Sequence, residues 1–247
     1  MKHRIVHFER IDSTNSEAHR VVQQGERGPL WLWADEQTGG RGRLGRAWVS
    51  EPGNLYATFL FPIAGGPEIA AQVSFIGALA VHDLVTVLLP DIKPLIKWPN
   101  DVLIEGAKFC GLLAEVAATN PTTIALGCGI NLTHAPPDLA YPVTALARHG
   151  SIPDIASILQ LLAARLSGQL AVWDEGKGFA TIRSHWMERA VGLNEKAVAM
   201  AGDQQLRGTF RGLAADGALI LELPDGTQKL IHAGDVRFAA IEASRKS

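Results

Sequence analysis

The sequence predicts an α+β fold, with a central mixed β-sheet and flanking helices over residues 1–192 and a small β-barrel over residues 193–247. Three observations predict it. Short β-type segments alternate with long apolar helical stretches in the first part. After Gly192 the chain breaks into short, closely spaced strands. Gly202-Asp203, Asp216-Gly217 and Asp225-Gly226 punctuate those strands, and Asp-Gly between alternating strands signals a hairpin. At 247 residues, two domains of unequal size are expected.

The elements follow in order. Residues 4–9, RIVHFE, have strand composition, and Asp12-Ser13-Thr14-Asn15 offers cap residues ahead of a helical stretch over 16–24. Residues 29–36, PLWLWADE, form an apolar, aromatic strand, and NLYATFLF (54–61) forms a second after a loop rich in Gly and Arg. Pro67 opens a long helix through residue 89 that is apolar around most of its circumference, as a core helix is. Segments 94–108, 109–118 and 122–132 are β-type, separated by turn residues such as Glu105-Gly106 and Asn120-Pro121. Helices over 155–173 and 178–190 close the first domain.

Composition narrows the function. Apolar residues make up 47% and charged residues 19%, which fits a packed core rather than disorder. A net charge of −2 gives no general basic field, so no DNA duplex is an expected partner. No charged-then-apolar leader opens the chain, and no apolar run reaches the roughly 18 residues of a membrane span unbroken. The cytoplasm is the expected compartment. Cys110 and Cys128 lie in apolar runs without metal-type spacing, as buried reduced thiols do.

Two segments carry chemistry. Gly40-Arg41-Gly42-Arg43-Leu44-Gly45 matches a dinucleotide-binding G-x-G-x-x-G, but no helix opens behind it and three arginines, Arg41, Arg43 and Arg46, crowd it. Glycine N–H groups with guanidinium forks suit a polyanion such as a triphosphate; a solvated basic loop is the alternative. Lys97-Trp98-Pro99-Asn100-Asp101 sets a cation and a carboxylate on a β segment, and Lys108 follows just before the next strand. A lysine at a strand end is a positioned charge able to hold a carboxylate against a phosphate, against the plainer reading of a surface lysine. Trp48 and Trp98 are open to a core role or a pocket-wall role. The histidines show no ligand spacing, so no metal ligand is assigned.

In order along the chain, Ser13-Thr14-Asn15, Gln37, the 40–46 loop with Trp48, Lys97–Asp101, Lys108 with Gly111, and Gly129-Ile130-Asn131 resemble the ordered signature of biotin protein ligases. The likeness is dense over roughly residues 5–135, and the C-terminal strands resemble the SH3-like domain that follows the class II synthetase-like catalytic domain in that family. It implies an enzyme that makes biotinyl-5'-AMP from biotin and ATP with Mg²⁺, then passes biotin to a lysine of a biotin carboxyl carrier protein. That carrier would belong to acetyl-CoA carboxylase and, in some members, to pyruvate carboxylase. Ser13, Thr14, Asn15, Gln37, Arg41, Gly42, Arg43, Lys108 and Gly111 would hold biotin; Arg41, Arg43, Arg46, Trp48, Lys108 and Asn131 would hold ATP or the adenylate. Lys108, Asp101 and Arg43 would be catalytic, with Asp101 receiving or positioning the carrier amine. The first strand begins at about residue 4, so repression through an N-terminal DNA-binding domain is not expected. A homodimer is open. Alternative readings are a lipoate or octanoate protein ligase and a non-catalytic biotin-sensing module.

Overall fold

Alternation of apolar side chains along the early segments produces one seven-stranded sheet in the computed structural model, which describes residues 4–137, 139–202, 204–239 and 241. Its strands are β1 (Arg4–Ile11), β2 (Leu30–Gln37), β3 (Leu55–Pro62), β4 (Leu95–Lys97), β5 (Asp101–Ile104), β6 (Ala107–Thr119) and β7 (Thr122–Ile130). They lie in the order β1-β2-β3-β7-β6-β5-β4. β1 and β2 run parallel, joined by helix α1 (Thr14–Gln23) as the crossover that a parallel pair requires. The other neighbouring pairs are antiparallel, which makes the sheet mixed.

The two faces of the sheet are covered unequally. Trp31, Phe59, Phe61, Leu112, Leu126 and Cys128 point to one face, where α2 (Gln72–Leu88), α3 (Ile155–Trp173) and α4 (Phe179–Met187) complete the main core. Leu30, Leu32, Leu60 and Ala125 point to the other and form a smaller cluster with Ala18 and Val22 of the short helix α1, with Phe8, Val21, Ala117 and Ala118 partly buried against it. Beyond α1 that second face is left for a cleft. α3 is long and apolar enough, by length and composition, to cross a membrane. Here Ile158, Leu159, Leu162 and Leu166 pack it into the core beside α2, and Arg165 interrupts its apolar run.

The C-terminal strands are β8 (Lys196–Ala201), β9 (Gln204–Leu213), β10 (Leu219–Glu222), β11 (Gln228–Ile231) and β12 (Asp235–Phe238), antiparallel in the order β11-β10-β9-β8-β12. The expected barrel is not closed: β11 and β12 are its two edges. Closure needs a ladder between the last two strands, but β12 crosses over to pair with β8, Asp235 facing Met200. Asp203, Ala240 and the ends of the two expected domains, residues 1–3 and 242–247, lie outside the described residues.

This sheet shares the main core. Ala197, Phe210, Leu219 and Phe238 belong to the same apolar cluster as α2, and Trp98 Nε1 donates to the Gly217 carbonyl at 3.2 Å. Leu79 lies at the centre of α2 with no exposed surface. Leu79→Ala is expected to cost about 2–5 kcal/mol, read as a lower urea midpoint with unchanged slope.

Candidate active site

The cleft on the α1 face has a volume of about 510 Å³. Its first wall is the start of α1. Ser13 caps that helix, its Oγ accepting from Ser16 N at 3.4 Å, and so turns Thr14 and Asn15 toward the sheet. Gln37, at the end of β2, accepts at Oε1 from Thr14 N at 2.8 Å and donates through Nε2 to Ser50 Oγ at 3.0 Å. Thr58 Oγ1 lies 2.6 Å from Asn15 Oδ1 and 2.8 Å from Thr14 Oγ1. Ser13, Thr14, Asn15 and Thr58 are buried, so this end offers hydrogen bonds to a ligand without presenting a charged side chain.

The floor is made by glycines that alternate with the core-facing residues of β6 and β7. Gly111 pairs with Gly129 across the two strands. A Cβ at Gly127 would sit 2.2 Å from Asn15 Oδ1, and one at Gly129 2.6 Å from the Trp48 indole. Only glycine lets the amide and the indole lie this close to the sheet. Gly129→Ala is expected to push Trp48 off the floor and to weaken ligand binding at least tenfold, measured by calorimetry, with Trp48 fluorescence reporting the displacement.

Cations gather at the other end. Lys108 Nζ is 2.7 Å from Asp101 Oδ1 and lies 5.1 Å from the Trp48 ring centroid and 5.7 Å from that of Tyr141. Burial works against its charge, but the Asp101 carboxylate outweighs burial and holds the Lys108 pKa above the usual lysine value. Lys97 is pulled below its usual value by burial, which its attraction to Asp101 does not offset. Burial likewise lowers Arg43, whose Nη1 reaches Asn100 Oδ1 at 3.5 Å. An anion entering this end would meet cations already stripped of much of their water.

The glycine-arginine loop is a small hairpin rather than the start of a dinucleotide-binding helix. Arg41 and Ala47 form a β-bridge, Gly42 N donates to Arg46 O at 2.7 Å, and Arg43–Gly45 make one tight turn with Leu44 at φ 57°. Arg46 is tied to Asp235 of β12 by two hydrogen bonds, Nη1 to Oδ1 at 3.1 Å and Nη2 to Oδ2. The Arg46 guanidinium holds the Asp235 carboxyl below the usual carboxylate range. Because the folded pKa is the lower one, this contact stabilises fully above the unfolded value near 4 and is lost as pH falls through the folded value. Asp235→Asn should therefore lower the melting temperature at pH 7, with the deficit shrinking progressively as pH is taken below about 4.

Of the residues expected from sequence, Ser13, Thr14, Asn15, Gln37, Arg41, Gly42, Arg43, Arg46, Trp48, Asp101, Lys108 and Gly111 all line this one cleft. Asn131 does not. It is buried outside the lining, its Nδ2 donating to Thr144 O at 3.1 Å, where it secures the segment that carries Tyr141 past Lys108. The sequence reading missed Tyr141, Asp235 and Arg237, which also line the cleft. Cys110 and Cys128 are free and buried with Sγ atoms 3.9 Å apart, and burial raises the Cys110 thiol well above its usual pKa, the opposite of an activated nucleophile. Among the described residues no group of three or more His, Cys, Asp or Glu side chains is placed to hold a metal ion.

A charge-free hydrogen-bonding end, a flat floor and a cationic end under a basic hairpin suit a ligand with a neutral head group and an anionic group. Residues 7–131 match the biotin/lipoate A/B protein ligase family, and residues 195–238 match the biotin protein ligase C terminal domain. A biotin–[acetyl-CoA-carboxylase] ligase of Paracoccus denitrificans is 40% identical, over 93% of this chain and 98% of its own length. The bifunctional ligase/repressor BirA of Escherichia coli is 28% identical over 94% of this chain and 73% of its own. The solved biotin protein ligase of Aquifex aeolicus in complex with biotin and ATP superposes with a TM-score of 0.82 at 26% identity, covering 97% of this chain and 100% of that one. The chain belongs to the biotin/lipoate A/B protein ligase family, on its biotin protein ligase branch, and is a ligase.

Proposed function

We propose that the protein condenses biotin with ATP to biotinyl-5'-AMP and then transfers biotin to a lysine of the biotin carboxyl carrier protein of acetyl-CoA carboxylase. The observation that carries this reading is the single cleft joining the neutral end at Ser13–Asn15 and Gln37 to the cationic end at Lys108, Arg41, Arg43 and Arg46. The Paracoccus relative's name supports the carrier, and the Aquifex complex supports the two ligands. A carrier domain of pyruvate carboxylase is a second target of the same chemistry. The free buried thiols agree with a cytoplasmic enzyme. β1, an edge strand with mostly exposed residues, offers a second copy a place to pair.

In the first step a biotin carboxylate oxygen attacks the α-phosphorus of ATP, and pyrophosphate leaves. Repulsion between the two anions is the barrier, and Lys108, Arg41 and Arg43 offset it while Gly42 and Gly111 let the ligand approach the backbone. Mg²⁺ brought in with ATP would neutralise further phosphate charge, and no side chain of the cleft is assigned to hold it. Arg46 and Trp48 flank the nucleotide. In the second step the carrier amine attacks the acyl carbon, AMP leaves, and Asp101 positions the amine and receives its proton. Lys108 is the partner that Asp101 releases when the adenylate draws the ammonium away.

Incubating the protein with biotin and MgATP, without carrier, is expected to yield biotinyl-AMP by mass spectrometry, with no product from lipoate or octanoate. Lys108→Ala should reduce that yield by roughly a hundredfold or more. Asp101→Asn should still form biotinyl-AMP but transfer it slowly; transfer at the wild-type rate rules out its role. Biotin binding without adenylate would leave only a sensing module.

A further inference from the structure

We propose that Glu115, outside the cleft, is a positioning residue that sets the direction of a hydrogen-bond chain and thereby makes Thr14 and Gln37 a paired acceptor for a ligand N–H. Glu115 lies on β6, on the same sheet face as the glycine floor and four residues beyond Gly111. Its Oε2 accepts from Asn15 Nδ2 at 2.7 Å. A carboxylate only accepts, so Asn15 must turn its NH₂ toward Glu115. The Leu113 carbonyl, 3.4 Å from the same nitrogen, asks for the same orientation.

Proton counting then runs through the buried hydroxyls. Asn15 Oδ1, now facing Thr58 Oγ1 at 2.6 Å, has no proton, so Thr58 commits its only one there. The Thr14 hydroxyl has one proton and two oxygen neighbours, Thr58 Oγ1 at 2.8 Å and Gln37 Oε1 at 3.1 Å, and the shorter contact takes the proton. Thr14 Oγ1 also lies 3.1 Å from Gln37 Oε1, which already accepts from the Thr14 backbone N–H. Those two oxygens are then neighbouring acceptors with no proton between them, at the neutral end of the cleft. A ligand N–H fits between them, and a ligand ring oxygen is repelled. With the reading of the site as a biotin site, on which this inference rests, that N–H belongs to the ureido ring.

The consequence is selectivity that depends on a residue the ligand does not touch. Glu115→Leu removes the nearer of the two acceptors that orient Asn15 and leaves only the Leu113 carbonyl at 3.4 Å, and Thr58→Val breaks the chain at its middle, while Glu115→Gln can still turn an oxygen to Asn15. Calorimetry would compare biotin with its cyclic carbamate analogue, in which oxygen replaces a ring N–H. Glu115→Leu and Thr58→Val are each expected to weaken biotin roughly tenfold and the carbamate less than threefold, with the KM for ATP unchanged and Glu115→Gln close to wild type. Equal weakening of both ligands, or unaltered biotin binding in both disruptive variants, would overturn the role of Glu115. Wild-type protein that does not bind biotin at all would overturn the reading of the site, and this inference with it.

Discussion

The site depends on one constraint, the absence of side chains at three neighbouring positions on one face of β6 and β7. At Gly111, Gly127 and Gly129 the sheet is bare on the α1 side, while Leu112, Leu126 and Cys128 between them fill the main core. The same two strands therefore serve as core on one face and as floor on the other. Because α1 is only ten residues long, it covers part of the second face and stops. A longer first helix or any side chain at those glycines would close the space that the ligand needs.

Electrostatics divide the cleft along its length. At one end, buried amides and hydroxyls satisfy one another in a network that a ligand joins without bringing in or meeting a charge. At the other, Lys97, Lys108 and Arg43 are kept inside the fold against their desolvation while Arg46 lies exposed at the rim, with Asp101 and Asp235 as the compensating carboxylates. A pocket with cations on both walls and too few anions to neutralise them is incomplete without an anionic ligand.

Much of this was legible in the sequence because the relevant signals are local. Strand composition, the Ser13 cap and the failure of 40–46 to open a helix all depend on a few neighbouring residues. Ser13, Gln37, Arg43, Asp101 and Lys108 could be singled out through their ordered resemblance to the biotin protein ligase signature, although only folding shows that they share a cleft. What escaped depends on distant pairing. Nothing near Asp235 announces that Arg46, 189 positions away, will be its partner. Asn131 stands beside a glycine-rich strand end that points toward the cleft, yet its amide is taken by the Thr144 carbonyl. The barrel was inferred from hairpins, which fix neighbours in sequence but not whether the first and last strands meet.

The Arg46–Asp235 contact makes two separate parts of the chain share one equilibrium. The arginine sits on the hairpin that roofs the cleft, and the aspartate on an edge strand of the C-terminal sheet. Free energy gained by a ligand that orders the hairpin is passed to that edge, and free energy lost by fraying the edge is charged to the ligand's affinity. The small sheet thus anchors the roof through one exposed ion pair, while Asp235 and Arg237 of the same strand also line the cleft.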